Sequence, residues 1–97
     1  MKREEAIRIL TACTDDIRRQ FGVESLLIFG SVARDEATET SDVDVLVEFN
    51  RPTGYFGLIA LQERLEDLLG CKVDVGTPRS LKPRLRARVL QESIHVI

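Results

Sequence analysis

Apolar residues recur along this chain in two rhythms, one that suits helices and one that suits strands. Ala6, Leu10, Cys13, Ile17 and Phe21 follow one another at spacings of four, three, four and four, which predicts one amphipathic helix over about residues 3–20. Gly22 ends it. Ser25 to Phe29 is a short, nearly all-apolar run closed by Gly30, the pattern of a strand covered on both faces. Ser31 to Ala37 predicts a turn or two of helix opened by the Gly-Ser pair, and a polar loop from Thr38 to Ser41 follows. Val43, Val45, Val47 and Phe49 then alternate with Asp44, Leu46 and Glu48, the period of a strand.

Beyond an Asn50–Gly54 loop, Leu58, Leu61, Leu65 and Leu68 predict a second long helix from Tyr55 to Leu69, with Gly70 as its stop. Cys71, Val73 and Val75 alternate with Lys72 and Asp74 as a third strand. Thr77-Pro78 turns the chain into a helix over 80–91, with Pro83 in the first turn, where its missing N–H is tolerated. Leu81, Leu85 and Val89 are expected to hold that helix on the sheet, and Ile94 to Ile97 forms a last short strand. The sum is an α/β fold, a mixed sheet of three to four strands with flanking helices, in a single domain over residues 1–97.

Composition narrows the function classes. Hydrophobic residues make up 43% and charged residues 31%, which suits a globular domain and argues against disorder. No apolar run approaches the ~18 residues that cross a bilayer. The first residues pass directly into a charged helical pattern, so no signal peptide is expected and the cytoplasm is the expected compartment. Cys13 and Cys71 stand far apart with no metal-ligand spacing, and His95 is the lone histidine. Catalysis therefore has to rest on carboxylates, hydroxyls and arginines.

The net charge of −2 hides a segregation. Residues 35–48 carry six acids (Asp35, Glu36, Glu39, Asp42, Asp44 and Glu48) and no base, whereas 79–88 carry five bases (Arg79, Lys82, Arg84, Arg86 and Arg88) and no acid. The first segment suits cations. The second suits an anionic surface, but it lacks interleaved aromatics and the chain as a whole is mildly acidic, which argues against nucleic acid.

The phase of the strand carries the chemistry. Asp42 and Asp44, two apart, leave on one face, opposite Val43 and Val45. Like charges that close raise each other's pKa unless a cation lies between them, and the usual cation for an all-oxygen site is Mg²⁺. An isolated Asp-x-Asp is more often a turn beside a solvent-facing acid. Two features shift that balance. Gly30-Ser31 follows a strand and opens a helix, where free N–H groups and a hydroxyl suit a phosphate, though a plain helix cap looks the same. Asp74, placed inside a strand, is the second, because Asp is depleted there.

Taken together, Gly30-Ser31, ten intervening residues, Asp42-x-Asp44 and the later strand acid resemble the nucleotidyltransferase fold shared with DNA polymerase beta-like enzymes. The strings Gly-Ser-Val-Ala-Arg-Asp-Glu-Ala and Ser-Asp-Val-Asp-Val-Leu-Val resemble the minimal nucleotidyltransferase (MNT) group, also called MntA-like antitoxins. The likeness runs over about residues 20–97 and departs at Asp35, where many relatives have Gly. It implies that Gly30 and Ser31 hold the triphosphate of ATP and that Asp42 and Asp44 bind two Mg²⁺ ions. Asp74 would share the ion that activates the attacking hydroxyl. Arg34, one turn after Ser31, would steady a phosphate, though a solvated arginine fits the sequence equally well.

A core of this length holds no acceptor-binding domain, so a partner is expected to present the acceptor. In the MNT group the partner is typically a HEPN-domain ribonuclease toxin encoded by a neighbouring gene. The resemblance thus implies a Mg²⁺-dependent protein adenylyltransferase that moves AMP from ATP to a toxin tyrosine. The alternative is a fold-retaining antitoxin that inhibits by complex formation only.

Overall fold

A computed structural model describes residues 1–38 and 41–97, so the predicted loop across Glu39 and Thr40 lies outside the described residues. In chain order the elements are α1 (Arg3–Ala12), α2 (Thr14–Phe21), β1 (Val23–Phe29), α3 (Gly30–Ala33), β2 (Val43–Phe49), α4 (Tyr55–Leu69), β3 (Val73–Gly76), α5 (Pro83–Glu92) and β4 (Ile94–His95). Four strands form one sheet in the order β3-β2-β1-β4. β1 pairs antiparallel with both β2 and β4, while β2 and β3 run parallel. A parallel pair needs a crossover connection, and α4 supplies it.

The valines of β2 decide which way the sheet faces. Val43, Val45 and Val47 are fully buried, as are Leu26 and Ile28 on β1, and they pack with Ala6, Leu10, Ile17, Leu61 and Leu65 from α1, α2 and α4. Alternation then sends Asp44 and Glu48 to the other side of β2. Every buried residue among those described is apolar. No described helix is long and apolar enough to cross a membrane.

Three local expectations change. The first helix is two: at Cys13 the backbone leaves helical geometry (φ −106°, ψ 11°), and its N–H bonds to Leu10 O, three residues back, at 3.1 Å. The Thr14 hydroxyl donates to the same carbonyl at 3.3 Å, closing off the turn at the start of α2. The 3.6-residue stripe continues across the break because both helices bury it. The central strand is covered fully on one face only, since Leu27 and Phe29 are half-buried where Leu26 and Ile28 are enclosed.

The third change concerns α5. A 3₁₀ turn at Pro78–Ser80 precedes it, and Pro83 stands at its first position. No residue of α5 is buried, Leu85 is 44% exposed and Leu90 50%. The helix lies against α3 and β1 without the deep apolar anchor that its leucines suggested.

Candidate active site

The acids converge through strand register. Asp44 lies on β2 one residue in from its start, and β3 pairs with β2 so that Val43 faces Val73, Asp44 faces Asp74 and Val45 faces Val75. Across the other edge of β2, Asp44 faces Phe29, the residue that leads into Gly30. One carboxylate thus has the second strand acid on one side and the Gly-Ser turn on the other. Asp42, just before β2, is the third member. Its charge, like that of Asp74, acts on Asp44.

The electrostatics follow from this crowding. Partial burial pushes the Asp44 carboxyl above its ordinary range, the charges of Asp74 and Asp42 add to the rise, and Arg34 opposes it. Asp42 and Asp74 are exposed. Among the described residues no three His, Cys, Asp or Glu side chains close into a metal cage. Mg²⁺ typically takes only one or two carboxylates and leaves the remainder to water and phosphate oxygens, so an open carboxylate group suits it.

Gly30 is required where it stands. Its φ is +74°, and a Cβ added there would overlap Oδ2 of Asp44 and lie 3.2 Å from its Cγ. Only a residue without a side chain lets the first turn of α3 approach the carboxylate this closely. The short helix ends after Ala33, and the chain turns through Asp35 in the left-handed region at φ 59°. Left-handed backbone suits Gly first and Asp or Asn next, so Asp35 is tolerated at this turn.

Two supports were not readable from the sequence. The Glu66 carboxylate of α4 accepts the Val73 N–H at 3.1 Å, and Val43 N–H bonds to Lys72 O at 3.0 Å, which together pin the start of β3 beside Asp74. Arg34 Nε donates to Glu36 at 3.1 Å, and its Nη1 donates to Glu92 at 3.3 Å. Glu92 lies 58 residues further along, so no local pattern announces it. A separate open concavity of about 880 Å³ lies at the far ends of β2 and β3, between Phe49–Thr53 and Thr77–Arg79, and none of the three acids lines it.

Comparison with known proteins identifies the family. The nucleotidyltransferase domain family matches residues 10–96. This chain belongs to that family. The protein adenylyltransferase MntA of Thermococcus cleftensis is 44% identical over 93 residues, spanning 96% of this chain and 94% of that one. A solved structure assigned as a minimal nucleotidyltransferase superposes with a TM-score of 0.81 at 39% identity, covering 97% of this chain and 95% of the other. A chain in the complex of a tri-AMPylated Shewanella oneidensis HEPN toxin with an MNT antitoxin shares the fold at 17% identity, with a TM-score of 0.66 over 94% of this chain and 71% of that one. Family, fold and enzyme class thus stand as the motif implied: this is a nucleotidyltransferase-family enzyme with an α/β mixed sheet.

Proposed function

We propose that this protein is an antitoxin that transfers AMP from ATP to a tyrosine of a HEPN-domain ribonuclease toxin and neutralises it. The observation that carries the reading is the register that sets Asp44 beside Asp74 on one flank and beside the Gly30 turn on the other. The 44% identical MntA, a protein adenylyltransferase over nearly its whole length, supports the choice of a protein acceptor. The MNT–HEPN complex with the same fold makes a HEPN toxin the partner to test first.

In this reading Asp42, Asp44 and Asp74 hold two Mg²⁺ ions between them. The donor set fits: three carboxylates, one of them half-buried and destabilised by the other two, are relieved by a hard dication. Bound there, Mg²⁺ would offset the negative charge that builds on the phosphoryl oxygens and would favour the ionised acceptor hydroxyl. Gly30 lets the Asp44 carboxylate lie against the first turn of α3, where the triphosphate would bind, and Ser31 offers a hydroxyl on that turn. Arg34 steadies a phosphate by charge-assisted hydrogen bonds. The acceptor oxygen bonds to the α-phosphorus as the bond from that phosphorus to the bridging oxygen breaks. Pyrophosphate leaves with the electron pair, and the hydroxyl proton goes to solvent, which reaches the exposed Asp74.

The test is incubation with α-labelled ATP, Mg²⁺ and the HEPN product of the neighbouring gene. Label is expected on a toxin tyrosine with the wild-type protein, and none with Asp42→Ala/Asp44→Ala. A stable complex in which the wild-type protein transfers no label would overturn the transfer reading and leave neutralisation to binding alone.

A further inference from the structure

Arg34 is held from two directions. Glu36 belongs to the same turn and moves with it. Glu92 belongs to α5 and binds Arg34 Nη1 through Oε2 while its Oε1 accepts from Arg88 Nε at 3.3 Å. Glu92 is also tied to the sheet. Two residues after it Ile94 begins β4 and pairs with Ile28, while Val96 N–H bonds to Leu26 O at 2.9 Å. The non-local carboxylate therefore fixes the guanidinium relative to β1 and β2, which the local one cannot do. Among the described residues Nη2 of Arg34 has no hydrogen bond, and Arg34 is the cation whose charge acts on Asp44.

We propose that Glu92 is a positioning residue that holds the Arg34 guanidinium beside the acid site with its Nη2 edge left for a phosphate of the nucleotide. The inference rests on the reading of Arg34 as a phosphate contact given above. Its physical basis is pre-organisation. An arginine already fixed by carboxylates on Nε and Nη1 loses little rotamer freedom when phosphate arrives, whereas a free one must be ordered at the cost of affinity. Such a contact, made alike in ground and transition states, acts on KM and leaves kcat in place.

The experiment titrates Mg·ATP against the full chain and its Arg34→Ala, Glu92→Gln, Glu92→Asp and Arg88→Ala variants, with KM and kcat for transfer and a thermal melt for each. Arg34→Ala is expected to weaken ATP about tenfold or more and Glu92→Gln about three- to tenfold, the loss appearing in KM. Glu92→Asp, which keeps the charge, should recover part of that loss. Arg88→Ala removes the other partner of Glu92 and loosens α5 without touching Arg34, so its ATP affinity should equal wild type. Unchanged or tighter ATP binding by Glu92→Gln, with Arg34→Ala still weak, overturns the role of Glu92 and leaves the proposed function standing. An equal loss in Arg88→Ala shows a merely structural effect of α5 and also overturns it. Unchanged ATP binding by Arg34→Ala removes the phosphate contact itself. Should Glu92→Gln melt before it can be titrated, Glu92→Ala takes its place, and wild-type ATP affinity in that folded variant overturns the proposal.

Discussion

Asp44 and Asp74 are register partners on adjacent parallel strands, so two carboxylates thirty positions apart in sequence stand side by side on one edge of the sheet. Burial of Asp44 and repulsion from Asp74 and Asp42 make the ionised form of Asp44 costly in the folded state. An acid whose folded pKa is raised binds more protons folded than unfolded, so stability falls as pH rises between its ordinary value and its raised one. In metal-free buffer the wild-type melting temperature should drop relative to Asp44→Asn as pH climbs from about 4, and the gap should then level off. Parallel melting curves for the two proteins across that range would refute the coupling.

Asp74 is exposed where Asp44 is half-buried, and under the proposed function it shares the ion that activates the acceptor hydroxyl. Asp74→Asn is expected to slow transfer by about 100-fold or more while weakening Mg·ATP binding only a few-fold, as for a group that acts mainly in the transition state. Rapid-quench transfer rates beside equilibrium ATP titration check this. Equal losses in both would make Asp74 a general ligand.

The turn that carries Arg34 passes through Asp35 at φ 59°. Left-handed backbone costs an ordinary residue about 1–2 kcal/mol and glycine almost nothing. Asp35→Gly should therefore leave stability unchanged or raise it by less than about 1 kcal/mol, whereas Asp35→Val should lower it by about 1–2 kcal/mol. Urea titration of the three proteins measures both. A stabilising valine would contradict the assigned backbone.

The basic helix gives a fourth expectation. Of its arginines, Arg86 donates to Pro78 O at 3.1 Å and Arg88 is paired with Glu92, which leaves Arg84 and the capping residue Lys82 without side-chain hydrogen bonds among the described residues. With Leu85 and Leu90 half-exposed on the same helix, α5 combines apolar contact with positive charge. Lys82→Glu/Arg84→Glu should slow association with the proposed HEPN partner about tenfold at low salt and flatten its salt dependence, with ATP binding nearly unchanged. Stopped-flow association at two ionic strengths reads this. Lost ATP affinity with intact association would place α5 at the nucleotide instead.

Most of the fold was legible because its strands alternate cleanly and its long helix repeats leucine at helical spacing. The phase of Val43, Val45 and Val47 sufficed to place Asp44 on the outer face of the sheet. The break at Cys13 was not legible, because the apolar stripe runs through it unchanged and only the Leu10 carbonyl, shared by Cys13 N–H and the Thr14 hydroxyl, reveals it. The looseness of α5 escaped for the opposite reason: Leu81, Leu85 and Val89 have the right spacing, but periodicity says nothing about whether a facing surface exists. In the site, the motif singled out Gly30 and the acids, and the geometry supplied the reason for Gly30. Glu66 and Glu92 act across the fold, and a sequence pattern has no means to couple residues that distant.

The parallel pairing of β2 with β3 also has a consequence for how the protein is assembled. β1 and β2 are antiparallel neighbours with no strand between them in sequence, while β3 can dock only after α4 has crossed over and closed a longer loop. The Asp74 charge therefore comes beside Asp44 only through this longer-range pairing, and it opposes the ionised form of Asp44 there. Under the proposed function, a divalent ion shared by the two carboxylates should relieve that repulsion and stabilise the finished sheet before any nucleotide is bound.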